Sequence, residues 1–207
     1  MGQFSFSRLP NKWIQDGLLV SFKGGADQGR SIAALKIVIL FALKNGFSDR
    51  IDNLSFSIIS ESTGLSRPML SPAIEQLEGL GLILVDRRTR THSYSLNVDL
   101  RATWARLPRF LLLERLPLLS NRSSSTLYAL KIYLVLHAYR SNYSMSVTIT
   151  YTKLREKTGL QPKNIRKGID VLINHGLIGL SRLKGPDGSY QANCYSFFGL
   201  QLPKERQ

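Results

Sequence analysis

One cysteine, Cys194, occurs in 207 residues, so neither an intrachain disulfide nor a cysteine-rich zinc site can be assembled. The three histidines, His92, His137 and His175, lie far apart without metal-ligand spacing. Acidic residues are scarce, with 14 Asp+Glu against 28 Lys+Arg, a formal net charge of +14. Long apolar runs are also missing. The most hydrophobic one, Ile32 to Leu43, is interrupted by Lys36 and is too short to span a bilayer. Met1 to Lys12 carries polar residues throughout and has no apolar run of the signal-peptide kind. Gly24 to Gly29 is glycine-rich but lacks the Gly-Lys-Ser/Thr ending of a phosphate loop. No Ser–His–Asp set or paired carboxylates appear; Glu61 and Glu156 occupy matching places in separate halves. These absences argue against an enzyme, against a metal or other cofactor and against a membrane partner. They lead us to expect a soluble, cytoplasmic chain.

What the sequence does contain is a repeat. Glu156, Thr158, Gly159, Leu160, Ile169, Leu172, Gly176, Leu177 and Ile178 fall 95 residues after Glu61, Thr63, Gly64, Leu65, Ile74, Leu77, Gly81, Leu82 and Ile83. Leu35-Lys36-Ile37 returns as Leu130-Lys131-Ile132 at the same offset, and Leu9-Pro10 returns as Leu107-Pro108 at a slightly larger one. A repeat of this length fixes architecture before other arguments apply. It divides the chain into residues 1–98 and 99–207. Charge is unequally shared between the halves. Residues 1–100 hold 11 Lys+Arg against 9 Asp+Glu, a net of +2, and residues 101–207 hold 17 against 5, a net of +12. Such a surplus attracts a polyanion, nucleic acid foremost.

Within each half the pattern predicts a core helix (Ser31 to Asn45 with Ser31 as its cap, and Thr126 to Arg140) and a short extended piece (Ile51 to Phe56 and Val147 to Tyr151). Two helices around Thr-Gly-Leu follow, with Ser66 able to cap the second in the first half. A hairpin closes each half, running from Leu82 to Val98 and from Leu177 to Phe198. The second hairpin is about six residues longer, through Lys184-Gly185-Pro186-Asp187-Gly188, whose Pro-Asp-Gly is a turn signal. Leu65, Leu70, Ile74 and Leu77 mark one apolar helix face, and Pro72 suggests a bend or late start in that helix. Asp99 to Arg122 reads as a packed connector. The tyrosines Tyr128, Tyr133, Tyr139 and Tyr143, with Trp13 and Trp104, read as packing residues.

Through ESTGLSRPMLSPAIEQLEGLGLI and EKTGLQPKNIRKGIDVLINHGLI the chain resembles tandem winged helix-turn-helix DNA-binding proteins, in a layout similar to the initiator proteins of iteron-type plasmids. The fold this implies is α+β, two tandem winged helix-turn-helix domains related by an internal repeat. Its expected partner is double-stranded DNA, covering two half-sites about one helical turn apart; homodimers or multimers on DNA stay open.

Candidate DNA-binding residues sit at the start of each second helix and on each hairpin. In the second half, Gln161, Lys163, Asn164, Arg166 and Lys167 suit base edges and phosphates. In the first half the corresponding helix offers Ser66, Arg67, Met69, Ser71 and Gln76, with Pro68 and Pro72 among them. The hairpins add Arg87, Arg88, Arg90, Arg182 and Lys184, and the connector adds further arginines for phosphate. The function expected first is transcription regulation. The alternatives are replication initiation or partition in a plasmid, phage or integrative element, and a protein-interaction scaffold with nonspecific nucleic-acid binding.

Overall fold

The computed structural model describes residues 6–45, 50–51, 54–88, 92–97, 103–184 and 190–200. The first half runs β1 (Phe6–Pro10), α1 (Lys12–Gln15), two short 3-10 turns (Leu18–Ser21 and Gly25–Asp27), α2 (Gln28–Asn45), β2 (Arg50–Ile51), α3 (Phe56–Thr63), α4 (Arg67–Gly79), β3 (Ile83–Asp86) and β4 (Ser93–Leu96). The second half repeats the order: β5 (Trp104–Pro108), α5 (Arg109–Arg115), a 3-10 turn (Leu116–Leu118), α6 (Ser124–Tyr139), β6 (Ser146–Thr148), α7 (Tyr151–Thr158), α8 (Pro162–Asn174), β7 (Ile178–Lys184) and β8 (Tyr190–Phe197). The fold is α+β with three small antiparallel sheets, ordered β1-β5, β2-β4-β3 and β6-β8-β7.

Two helices form the centre. From Ser31 to Leu43 α2 is buried on every side, as is α6 from Thr126 to Ala138 apart from Tyr128. Helices apolar all round belong inside a fold, and these two pack on each other and on α4 and α8 respectively. One continuous apolar cluster therefore runs through both halves.

The segments that precede α2 and α6, residues 6–27 and 104–118, are lead-ins that interlock the halves. Strand β1 pairs with β5 so that Phe6 faces Pro108, Arg8 faces Arg106 and Pro10 faces Trp104. Because β5 repeats β1 at an offset of 98, this register is reciprocal about the Arg8–Arg106 pair. The side chains repeat the reciprocity: Phe6 stacks on Trp104 at 6.2 Å, the Arg8 guanidinium lies 4.5 Å over Trp104, and that of Arg106 lies 4.5 Å over Phe6. Beyond the ribbon, each lead-in packs on the other half's helix pair. The Leu18–Ser21 turn meets α7, and the Leu116–Leu118 turn meets α3. Asn11 and Gln15 donate amide hydrogens to Ala138 O, satisfying a carbonyl that the end of α6 leaves open. The boundary expected at 98/99 lies outside the described residues.

Lys36 is fully buried despite its charge. Its three ammonium donors meet three acceptors: Thr63 O at the end of α3 (2.9 Å), Leu119 O (2.7 Å) and Asn121 Oδ1 (2.6 Å). The break it makes in the apolar run is thus a tie between halves. Its repeat mate Lys131 donates to Thr158 O at 3.0 Å. Burial pushes both lysines down from 10.5 to about 8. Between pH 8 and 10.5 the unfolded chain therefore binds more protons than the folded one, and stability rises with pH. We expect urea unfolding free energy to increase by about 2 kcal/mol per lysine from pH 8 to 10, and Lys131→Met to remove its share of that rise. Above pH 10 the trend reverses, because burial raises Tyr94 and Tyr195 from 10 to about 12 and the stability they add is lost as pH climbs through that range. Equal slopes for wild type and Lys131→Met between pH 8 and 10 would contradict this.

Several local expectations need correction. Helix α2 starts at Gln28, so Ser31 is no cap; it sits inside the helix, buried, with an unpartnered hydroxyl. The caps lie elsewhere, at Ser55 (accepting from Ile58 N, 3.3 Å) and Thr150 (accepting from Lys153 N, 3.2 Å), which end the short extended pieces earlier than expected. The stretch Asn11 to Val20, which reads as a single short helix, gives one turn of α-helix and then a 3-10 turn, broken at Gly17 (φ 86°). Ser66 has the backbone conformation of an N-cap, but its hydroxyl makes no capping bond. Pro72 leaves α4 continuous, since it and Pro68, whose carbonyl loses its partner, are both exposed to water. Among the aromatics, Tyr143 is 79% exposed and does not pack, whereas Trp13 and Tyr133 are buried. His137 packs between Tyr133 (4.5 Å) and Phe197 (4.3 Å), and burial keeps its imidazole neutral.

Candidate nucleic-acid interface

The two helix pairs are built alike because the same residues recur. Gly64 and Gly159 take the left-handed conformation at φ 68° and 70°, which only glycine adopts cheaply. Thr63 donates its hydroxyl to Ile59 O (2.6 Å) and accepts from Leu65 N (3.3 Å); Thr158 does the same with Leu154 O (2.6 Å) and Leu160 N (3.2 Å). Leu65 and Leu160 then insert into the core. This Thr-Gly-Leu unit fixes where α4 and α8 begin. Sequence reading identified the glycine and not the threonine, whose signal was its recurrence.

At the start of α8, Gln161, Lys163, Arg166 and Lys167 are exposed and Asn164 is half-buried. Ile165, Gly168, Ile169 and Leu172 face inward. A Cβ on Gly168 would lie 2.9 Å from Ala129 N, so α8 is seated directly against the α6 backbone. The cations thus project from a rigidly held helix. Among the described residues, none of Lys163, Arg166 and Lys167 has an ion-pair or hydrogen-bond partner through its side chain. Arg166 also lines a concavity of about 380 Å³ with Arg182 of β7, Thr150, Tyr151 and Asn193. Lys184 belongs to β7, but its side chain lies outside the described residues, as do Arg101 and the Pro186-Asp187-Gly188 turn.

The first half places its candidates differently. Ser66 and Ser71 are exposed, and Arg67 donates to Ser57 Oγ at 2.7 Å. Met69 packs against the core, and Gln76 is half-buried with its Oε1 unpartnered. Arg87 grips Glu78 of α4 through both terminal nitrogens, at 2.8 and 2.6 Å. That bond holds the Glu78 carboxyl below its ordinary range. Arg88 is paired with Asp86 through Nε and one terminal nitrogen, at 2.9 and 2.7 Å. Arg90 lies outside the described residues. Of the connector arginines, Arg106 lies on Phe6, Arg115 pairs with Glu114 at 3.3 Å, and Arg122 is exposed.

Among the described residues no group of acidic, histidine or cysteine side chains is placed to hold a metal, and no helix is long and apolar enough to cross a membrane. Scans against protein-family models, curated proteins and solved structures return no match for this chain.

Proposed function

We propose that this chain is a sequence-specific double-stranded DNA-binding protein, acting as a transcription regulator through two tandem winged-helix units. One observation carries the reading. An exposed, unpaired cationic cluster stands at the start of α8, the second helix of a helix–αL glycine–helix turn, beside a three-stranded sheet that ends in a long hairpin. A helix so placed enters a major groove, where its first residues meet base edges. In this reading Lys163, Asn164 and Lys167 address bases, while Arg166 and Arg182 address the backbone. The chain's layout, similar to plasmid initiators, carries a second reading, replication initiation; binding that melts an adjacent duplex would favour it over regulation.

Selection of bound duplexes from a random pool, with full-length protein and an excess of single-stranded competitor, tests the proposal. Enrichment of a defined motif is expected. Retention of single strands or RNA with no motif would overturn it and leave the scaffold reading.

A further inference from the structure

We infer that, among the described residues, the hairpin arginine that grips the DNA backbone is that of the second half: a phosphodiester occupies the second-half concavity between Arg166 and Arg182, while in the first half Glu78 takes the phosphate's place on Arg87. The inference rests on the DNA-binding reading above and specifies which half's hairpin arginine engages the backbone.

Superposing the repeats by sequence shows how the two halves diverged. Arg182 is the counterpart of Arg87, but Glu78 has Ile173 as its counterpart and Asp86 has Ser181. The carboxylates that clamp the first-half arginines therefore have no equivalents in the second. Arg182 is exposed and, with Arg166, lines a concavity whose described residues include no carboxylate. Its other polar residues are Thr150 at the N-terminus of α7, Tyr151, and Asn193, whose amide donates to Tyr195 Oη at 3.2 Å and keeps a second hydrogen for an anionic oxygen. The matching first-half concavity, about 360 Å³ between Ser55, Phe56 and His92, has neither arginine's counterpart; the arginine that lines it, Arg67, comes from a different position and is bonded to Ser57 Oγ at 2.7 Å. Ser71 stands where Arg166 stands, and Arg87 is turned away to Glu78. Along α4 the donors are thinned as well: Pro68, Met69 and Pro72 replace Lys163, Asn164 and Lys167. An exposed ion pair is a weak lock in itself. Its effect is to cancel a charge, and a cancelled arginine releases no counterion when DNA arrives.

The test uses the full chain and a fluorescein-labelled duplex of random sequence, about 30 bp, with anisotropy at about 50 and about 200 mM salt. Arg166→Ala and Arg182→Ala should each weaken binding roughly tenfold and reduce the salt slope by about one. Glu78→Gln should tighten binding several-fold and steepen the slope by about one, since it frees Arg87. Glu75→Gln is the control, because Glu75 is exposed on the same helix and attracts Arg87 through space alone, whereas Glu78 holds it by two hydrogen bonds. It removes the same charge without releasing an arginine, and it should give a clearly smaller gain. Glu78→Gln/Arg87→Ala should return to the wild-type slope. Unchanged slopes for Arg166→Ala and Arg182→Ala, or equal gains from Glu78→Gln and Glu75→Gln, would overturn the inference with DNA binding intact. So would inorganic phosphate displacing the duplex more than chloride does at equal ionic strength, which would assign the site to free phosphate. Failure of the wild type to bind any duplex would remove the DNA-binding reading itself.

Discussion

Lys163→Ala/Lys167→Ala should cost about 3 kcal/mol in affinity for the enriched site, on the order of a hundredfold or more, and should leave little discrimination between that site and shuffled duplex. The two lysines are four residues apart on α8, so they share one face of the helix. Both are exposed and unpaired among the described residues, so truncation opens no cavity and orphans no partner. Thermal unfolding of the variant should match wild type, which separates lost contacts from lost fold. Arg182→Ala should behave differently, weakening specific and shuffled duplex by a similar factor. A variant that weakens both duplexes equally would place Lys163 and Lys167 on the backbone and leave base reading to other residues.

Gly64→Ala should destabilise the protein by about 3 kcal/mol or more, while Gly159→Ala should cost about 1–2 kcal/mol. Both glycines hold the same left-handed conformation, at φ 68° and 70°, which would strain an alanine equally at either place. They differ in what faces them. A Cβ on Gly64 would lie 2.5 Å from Pro117 O, a backbone atom of the other half, whereas on Gly159 it would meet the Val20 side chain at 3.4 Å. A valine methyl can yield by a few tenths of an ångström; a carbonyl held in a 3-10 turn beside the Lys36 cluster cannot. Urea unfolding of the two variants reads the difference. Equal losses would mean that the contact between Gly64 and the connector is not tight, and that the halves are less firmly interlocked than their packing implies.

The repeat made much of this order legible. The helix pairs, the glycine turns and the hairpins follow from short-range signals, and their recurrence 95 residues later gave the second set. The interlock did not follow, because β1 pairs with β5 across about a hundred residues and nothing local in Phe6 to Pro10 names its partner. Lys36 read as a flaw in an apolar run; its acceptors come from α3 and from a segment more than 80 residues away. Ser31 misled for a related reason: a serine favours a cap only when its hydroxyl is free to reach the first amides, and burial against the core overrode that preference. Arg87 and Arg88 were legible as a cationic pair and not as neutralised ones. Glu78 reaches Arg87 only after α4 and β3 fold back on each other, yet the contrast of Glu78 with Ile173 stood in the aligned repeats.

The measurement that bears most directly on the account is the ratio of dissociation constants for an enriched duplex and a shuffled duplex of the same composition, taken at about 50 and about 200 mM salt with the full chain. A sequence reader of this kind should prefer the enriched duplex by about a thousandfold or more, with the shuffled duplex losing affinity steeply as salt rises. A ratio near one at both salt concentrations would contradict it, and would reduce the basic face of α8 to a general polyanion surface.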